Sequence, residues 1–246
     1  MTDPFRTARN GRGAGGYALS MTSIRATLTL VPMLVFPASS LAAQRPEATF
    51  QRAVAVYRAA ETISARFEQT VTNPLTDRKM STSGELLRRR PNLFSVTFTG
   101  TDPDRIVSDG SDLWLYLPSS APGQVIKVPA AAGQSGMLVD PMGQILSAPV
   151  TSYTITDAGT AKIGGRPTHA VTLTARSRSS LFTTATLWID DASGVVRQLE
   201  STEPSGLVRK ITVTTFRTNV AIPRSAFRFT PPANARVIDG SGMAAG

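Results

Sequence analysis

The sequence contains no cysteine and a single histidine, His169, among its 246 residues. Without cysteine there is no disulfide and no thiolate nucleophile, so stability must come from a buried core. With one histidine and no cysteine, a zinc site would need three carboxylates, a poor donor set for that metal. His169 lies in Pro167–Leu173 between threonine and alanine, and no Gly-x-Ser-x-Gly elbow offers it a nucleophile. It reads as a strand histidine on a solvent face. Aromatic residues make up only 7% of the chain and do not interleave with basic ones, as a nucleic-acid surface would require. Gly164-Gly165 and Gly13-x-Gly15-Gly16 precede no phosphate-binding helix. The sequence therefore predicts no catalytic residue, no metal and no cofactor, and argues against an enzyme and against a nucleic-acid partner.

Long apolar runs are also missing. Ala26–Phe36 is interrupted by Pro32 and followed by Pro37, too short and broken to span a bilayer as a retained helix. It suits the apolar region of an export signal, preceded by the basic stretch Met21–Arg25 and followed by the small-x-small site Ser40-Leu41-Ala42. The expected organisation is a leader over residues 1–42, cut after Ala42, and one domain over 43–246. A kept membrane anchor is the rival reading. Residues 1–20 are rich in glycine and arginine, either as an extended leader or because Met21 is the true start. Removing residues 1–42, with four basic and one acidic side chain, leaves 22 against 16 and a net charge of +6. That balance either favours anionic headgroups and acidic partners or serves solubility. With no cysteine at the cleavage site, the chain cannot be acylated there.

What is present is mostly strand. Glu47–Ile63 carries Phe50, Val54, Tyr57 and Ile63 at helical spacing, one amphipathic helix of the kind that covers a sheet. Ser64–Thr72 and Thr82–Arg89 flank a turn at Asn73–Asp77. Phe94, Val96 and Phe98 then alternate with Ser95, Thr97 and Thr99, a strand with one apolar face. Ile106-Val107, the turn at Asp109-Gly110 and Leu113–Leu117 continue the pattern. Gly136–Leu146 holds Met137, Leu138, Met142, Ile145 and Leu146 and predicts one or two short helices broken at Pro141. Its methionines either fill core or form an adaptable apolar surface. Five further strands follow between Tyr153 and Arg217, and Phe227–Pro232 is expected to close the sheet with a frayed tail beyond.

Two charged features remain. Asp102, Asp104, Asp109 and Asp112 cluster in sequence but lie in turns, without calcium-loop spacing. Arg88 and Arg89 read as a solvated strand end; Arg90 differs in standing directly before Pro91-Asn92-Leu93-Phe94.

That block, with Ile106-Val-Ser-Asp-Gly110, Leu113-Trp-Leu-Tyr-Leu-Pro118, Ala65-Arg-Phe-Glu-Gln69 and Phe229-Thr-Pro-Pro232, resembles the LolA family of periplasmic lipoprotein carriers in motif order and spacing. The absence of an acylation cysteine separates the chain from the family's outer-membrane receptor, itself a lipoprotein. Val96 stands where the family often has tryptophan. The resemblance implies a mainly β fold: an incomplete, half-open antiparallel barrel of about eleven strands, with a lid of short helices over an apolar cavity. It implies a monomeric periplasmic chaperone that binds acylated lipoproteins, loaded by an inner-membrane ABC transporter of the Lol type and unloaded to an outer-membrane acceptor where one exists. A LolA-like lipid-binding or envelope-stress-sensing domain is the alternative. Arg90 matches the family's basic residue linked to lid closure. Strand alternation and the family position of Phe94 put Phe94, Val96, Phe98, Leu187 and Ile189 inside the cavity, beneath Met137, Leu138, Met142 and Ile145.

Overall fold

A computed structural model describes residues 16, 39–129, 140–177 and 180–240, with side chains from Pro46 onward in the first helix. From Ser39 onward the described residues fall in one compact unit.

The first element is helix α1 (Ser39–Ala59). It starts earlier than its apolar spacing predicts and stops sooner. Thr62 and Ile63 are β-branched, prefer extended backbone, and open strand β1 (Thr62–Asn73) rather than ending the helix. Strand β2 (Arg78–Arg89) returns along β1, and β3 (Leu93–Phe98), β4 (Arg105–Ser108), β5 (Asp112–Tyr116) and β6 (Gln124–Pro129) extend the meander. Helix α2 (Pro141–Ser147) follows, then β7 (Tyr153–Ile163), β8 (Arg166–Ala175), β9 (Thr184–Asp190), β10 (Val196–Thr202) and β11 (Val208–Thr218). Pro141 starts α2, as suits a residue without an N–H, and the part of the predicted helical stretch before it, residues 136–139, lies outside the described residues.

One further strand, β12 (Arg236–Asp239), completes a single open sheet of twelve, ordered β12-β6-β5-β4-β3-β2-β1-β11-β10-β9-β8-β7. The two meanders meet where β1 pairs antiparallel with β11. The fold is mainly β and unclosed, as the sequence implies, with one strand more than expected. That strand, β12, pairs parallel with β6 and replaces the predicted closure by Phe227–Pro232. Pro231 and Pro232 lack the N–H groups a ladder needs, so pairing resumes only beyond them. Phe227 is buried at the end of a short 3-10 turn, and the Phe229 ring packs at a tilt against Trp114 and Tyr116 with ring centroids 5.9 and 6.0 Å away.

Alternation gives the sheet its inner face. Ile63, Arg88, Phe94, Ser108, Leu113 and Val128 form one cross-strand row, and Ala65, Leu86, Val96, Ile106, Leu115 and Ile126 the next. Helix α1 lays Phe50, Val54 and Tyr57 over β7, β8 and β9, sealing Val171, Leu173, Leu187 and Ile189 completely.

Asp190 anchors the far side of the core. Its Oδ1 accepts from the backbone N–H groups of Ala192 (3.1 Å) and Ser193 (2.9 Å), and its Oδ2 pairs with Arg197 (3.1 Å) and Arg166 (3.3 Å). Burial opposes its ionisation, but the Ser193 donors and the Arg197 guanidinium more than offset this and lower its pKa to about 2. A depressed carboxylate pKa adds stability above the ordinary value of 3.8 that is lost as pH falls from there toward 2, here about 2 kcal/mol. Asp190→Ala should cost about 3–5 kcal/mol by stranding Arg197, and the mutant's denaturation midpoint should no longer fall between pH 4 and pH 2 as steeply as the wild type's.

Candidate functional site

A cavity of about 130 Å³ lies between the inner sheet face and the two helices. Its floor is Phe67, Leu86, Val96, Phe98 and Ile106 from the first meander and Ile211, Val213 and Phe216 from β11; its cover is Ala53, Val56 and Tyr57 of α1 with Met142 and Leu146 of α2. Gln69, Asp140 and Arg209 are the polar side chains at its edges. Phe67 turns inward at the β1 bulge after Arg66 and meets Phe98 edge-on at 5.9 Å. Gly84 lies under the Phe67 ring, where a Cβ would approach it to 2.9 Å, so the close approach needs glycine. A second cavity of about 310 Å³ lies on the other side of α2; Pro141 and Arg209 line both.

Helix α2 is therefore a partition, with Ile145 and Leu146 buried in the core. Asp140 caps it by accepting from the Gly143 N–H (2.7 Å), and its other oxygen accepts from the Tyr57 hydroxyl (2.8 Å). Burial, then the Asp140 charge, push the Tyr57 phenol far up, so it remains a donor. Arg58 donates to the Ser147 carbonyl (3.1 Å) at the other end of α2. A Cβ at Gly143 would come within 2.1 Å of both the Tyr57 hydroxyl and Asp140 Oδ2. Gly143→Ala should thus undock α2 at a cost of about 1–3 kcal/mol. The check is hydrogen exchange, which should speed up over residues 141–147 and stay unchanged over β8 and β9.

The candidate residues from the sequence divide by environment. Val96, Phe98 and Met142 line the first cavity, and Ile145 lines the second. Phe94 lies on the inner face and packs in the same cluster as the lining residues Val96, Phe98 and Ile106, but does not itself line the cavity. Leu187 and Ile189 are fully buried under α1, outside the lining, because the amphipathic helix covers that end of the sheet. Met137 and Leu138 lie outside the described residues. Sequence reasoning missed Phe67, Ile211, Val213 and Tyr57, although Ile211-x-Val213 has the same alternation as Phe94-x-Val96-x-Phe98.

The three arginines are not equivalent. Arg90 is exposed, and its Nη1 donates to the Arg58 carbonyl at the end of α1. Arg89 donates to the Ile222 carbonyl and lies 5.9 Å from the Phe227 ring, on the outer face. Arg88 points inward, its guanidinium carbon 4.3 Å from the Tyr57 ring centre, with Nη1 buried and without a hydrogen-bond partner. The solvated-end reading of Arg88 and Arg89 is corrected: strand alternation turns one in and one out, and both are packed.

The remaining charged residues have structural partners. His169 lies on β8 as expected, partly exposed, with its Nε2 2.7 Å from Oδ2 of the exposed Asp157. Asp109 accepts from Ser111, Asp112 and the Trp114 indole, Asp104 from Ser119, and Asp102 from Tyr116. Among the described residues no cluster of histidine and carboxylate groups is arranged to hold a metal, and no helix is long and apolar enough to cross a membrane.

Comparison with known proteins agrees with this architecture. The family model described as outer membrane lipoprotein carrier protein LolA matches residues 58–230. The outer-membrane lipoprotein carrier protein of Pseudomonas paraeruginosa is 26% identical over 215 residues, covering 87% of this chain and 99% of that one. Its counterpart in Chromobacterium violaceum is 28% identical over 214 residues, covering 86% and 98%. An uncharacterized conserved protein of Thermus thermophilus superposes with a TM-score of 0.50 at 14% identity, over 80% of this chain and 99% of that one.

Proposed function

Because the chain belongs to the LolA family of outer membrane lipoprotein carrier proteins, we propose that it is a periplasmic chaperone that carries acylated lipoproteins from the inner to the outer membrane. The observation that carries this reading is an apolar cavity roofed by two helices in a chain matched to the family over residues 58–230. Cleavage after Ala42 would remove the first four residues of α1 and leave Phe50, Val54 and Tyr57 in place.

Burying one methylene contributes about 0.8 kcal/mol, so three acyl chains represent roughly 30–40 kcal/mol gross. Such a cargo does not cross water unshielded. The cavity, at about 130 Å³, holds on the order of ten waters, far less than three acyl chains need. Loading therefore requires α2 to swing away and merge the two cavities that share Pro141 and Arg209. Opening exposes Ile145 and Leu146, whose apolar contacts entering acyl chains can replace, and breaks the hydrogen bonds through Asp140 and Arg58, worth about 1 kcal/mol each. Carriage makes and breaks no covalent bond, so no catalytic residue is needed. An inner-membrane ABC transporter supplies the energy for loading, and an outer-membrane acceptor takes the cargo.

The test is release from membranes. Inner-membrane vesicles carrying the cognate transporter and a labelled triacylated lipoprotein are given ATP and the purified protein. A soluble one-to-one complex is expected; a label that stays with the vesicles under all conditions would contradict the proposal.

A further inference from the structure

Arg88 is the inward-facing cation of the β2 row, two residues beyond Leu86, which lines the cavity. Its cross-strand neighbours are Ile63 and Phe94, both apolar, and the Tyr57 ring lies against its guanidinium. Of the two buried side-chain polar atoms left without a partner among the described residues, one is Thr82 Oγ1, a neutral hydroxyl, and the other is Arg88 Nη1. Among the described residues Arg88 makes no ion pair, and the oxygens of Asp140, which accepts from the same Tyr57, are taken by the Tyr57 hydroxyl and the Gly143 N–H. A guanidinium among apolar groups and an aromatic ring, with its Nη1 amino group idle, is costly as it stands. An oxyanion would both pair the charge and fill the idle donor, in the geometry arginine favours.

The geometry points to Arg88 as an anion-recognition point at the end of the cavity, binding the carboxylate or phosphate of an acidic lipid whose acyl chain runs past Leu86, Val96 and Phe98. This extends the cavity's ligands beyond the acyl chains of a lipoprotein to free acidic lipids. It rests on the reading of the cavity as a lipid site. A fatty acid supplies the anion and the chain in one molecule, which makes palmitate the simplest probe and hexadecan-1-ol its uncharged match.

The experiment is titration calorimetry of the full mature chain with palmitate and with hexadecan-1-ol, below their aggregation limits. Palmitate should bind the wild type about tenfold more tightly than the alcohol. Arg88→Met should abolish that gap, Arg88→Lys should keep part of it, and Arg217→Met, an exposed charge elsewhere, should keep all of it. No gap in the wild type, or an unchanged gap in Arg88→Met, would overturn the inference. Millimolar inorganic phosphate should leave palmitate affinity unchanged; competition by phosphate would make this a site for free anions and overturn the lipid-headgroup assignment. A protein that took neither palmitate nor the alcohol would refute the lipid-site reading itself, whereas equal binding of both would refute only the role of Arg88. Should Arg88→Met fail to fold, the wild type still decides: the Arg88 side-chain ¹⁵N resonances should move on adding palmitate and stay still on adding hexadecan-1-ol, and the reverse would sink the idea.

Discussion

Phe98→Glu should leave a folded protein that no longer takes up lipoprotein, with affinity for acylated cargo lowered at least about a hundredfold. Phe98 is half-buried, lines the cavity and meets Phe67 edge-on. Glutamate there puts a carboxylate on an apolar floor with Val96, Leu86 and Ile106 beside it. Desolvating such a charge costs several kcal/mol, so the group stays hydrated and draws water into the space the acyl chains need. Phe98→Leu, which keeps the surface apolar, should retain most uptake. Phe94→Glu provides the contrast. Phe94 belongs to the same cluster but does not line the cavity, so its loss should lower the denaturation midpoint while the molecules that remain folded still bind cargo. Fluorescent acyl-peptide binding beside thermal melts of the three variants separates these outcomes; uptake by Phe98→Glu equal to wild type would remove the cavity from the account.

Arg90→Leu should fold normally, load normally and release its cargo more slowly. The Arg90 guanidinium holds the Arg58 carbonyl at the end of α1, where the helix dipole also favours a cation. Arg58 in turn holds the end of α2, and its neighbour Tyr57 holds the start. Removing the Arg90 bond costs about 1–2 kcal/mol, small against a domain's total but enough to move an opening equilibrium roughly five- to thirtyfold toward the open form. On the proposed carrier reading, closure drives the acyl chains out toward the acceptor, so a more open cavity should keep its cargo longer. Arg88 and Arg89 are poor controls, since one faces Tyr57 and the other Ile222 and Phe227. Arg217→Leu is the suitable one. Transfer of labelled lipoprotein to acceptor-containing membranes is the measurement, and equal rates for wild type and Arg90→Leu would return Arg90 to a simple helix cap.

Strands were legible in this sequence where alternation and turn chemistry agree. Phe94-x-Val96-x-Phe98 and the Asp109-Gly110 turn, with Gly110 at φ 96°, are both found where their residues put them. Boundaries set by tertiary contacts were less legible. Ile63 continues the helical spacing of α1 yet belongs to β1, because pairing with Thr218 and Arg88 outweighs a local period. The last strand was misplaced because Phe227-Arg-Phe229 alternates like a strand, while its rings serve as packing for the outer face and the ladder is made by Arg236–Asp239. Face was predictable within one strand, but lining was not. Leu187 and Ile189 face inward as Val96 and Phe98 do, and only the path of α1 over β8 and β9 decides which pair is sealed and which borders the cavity. The partition by α2 depends on Asp140 meeting Tyr57, a contact across 83 residues that no local pattern encodes.

The most direct test of the central claim is native mass spectrometry of the protein isolated from the periplasm of cells making their own lipoproteins, followed by identification of what it carries. The account predicts lipidated polypeptide bound one to one, lost in Phe98→Glu and enriched in Arg90→Leu. Protein carrying free phospholipid alone, with no lipidated polypeptide in wild type or in Arg90→Leu, would contradict it.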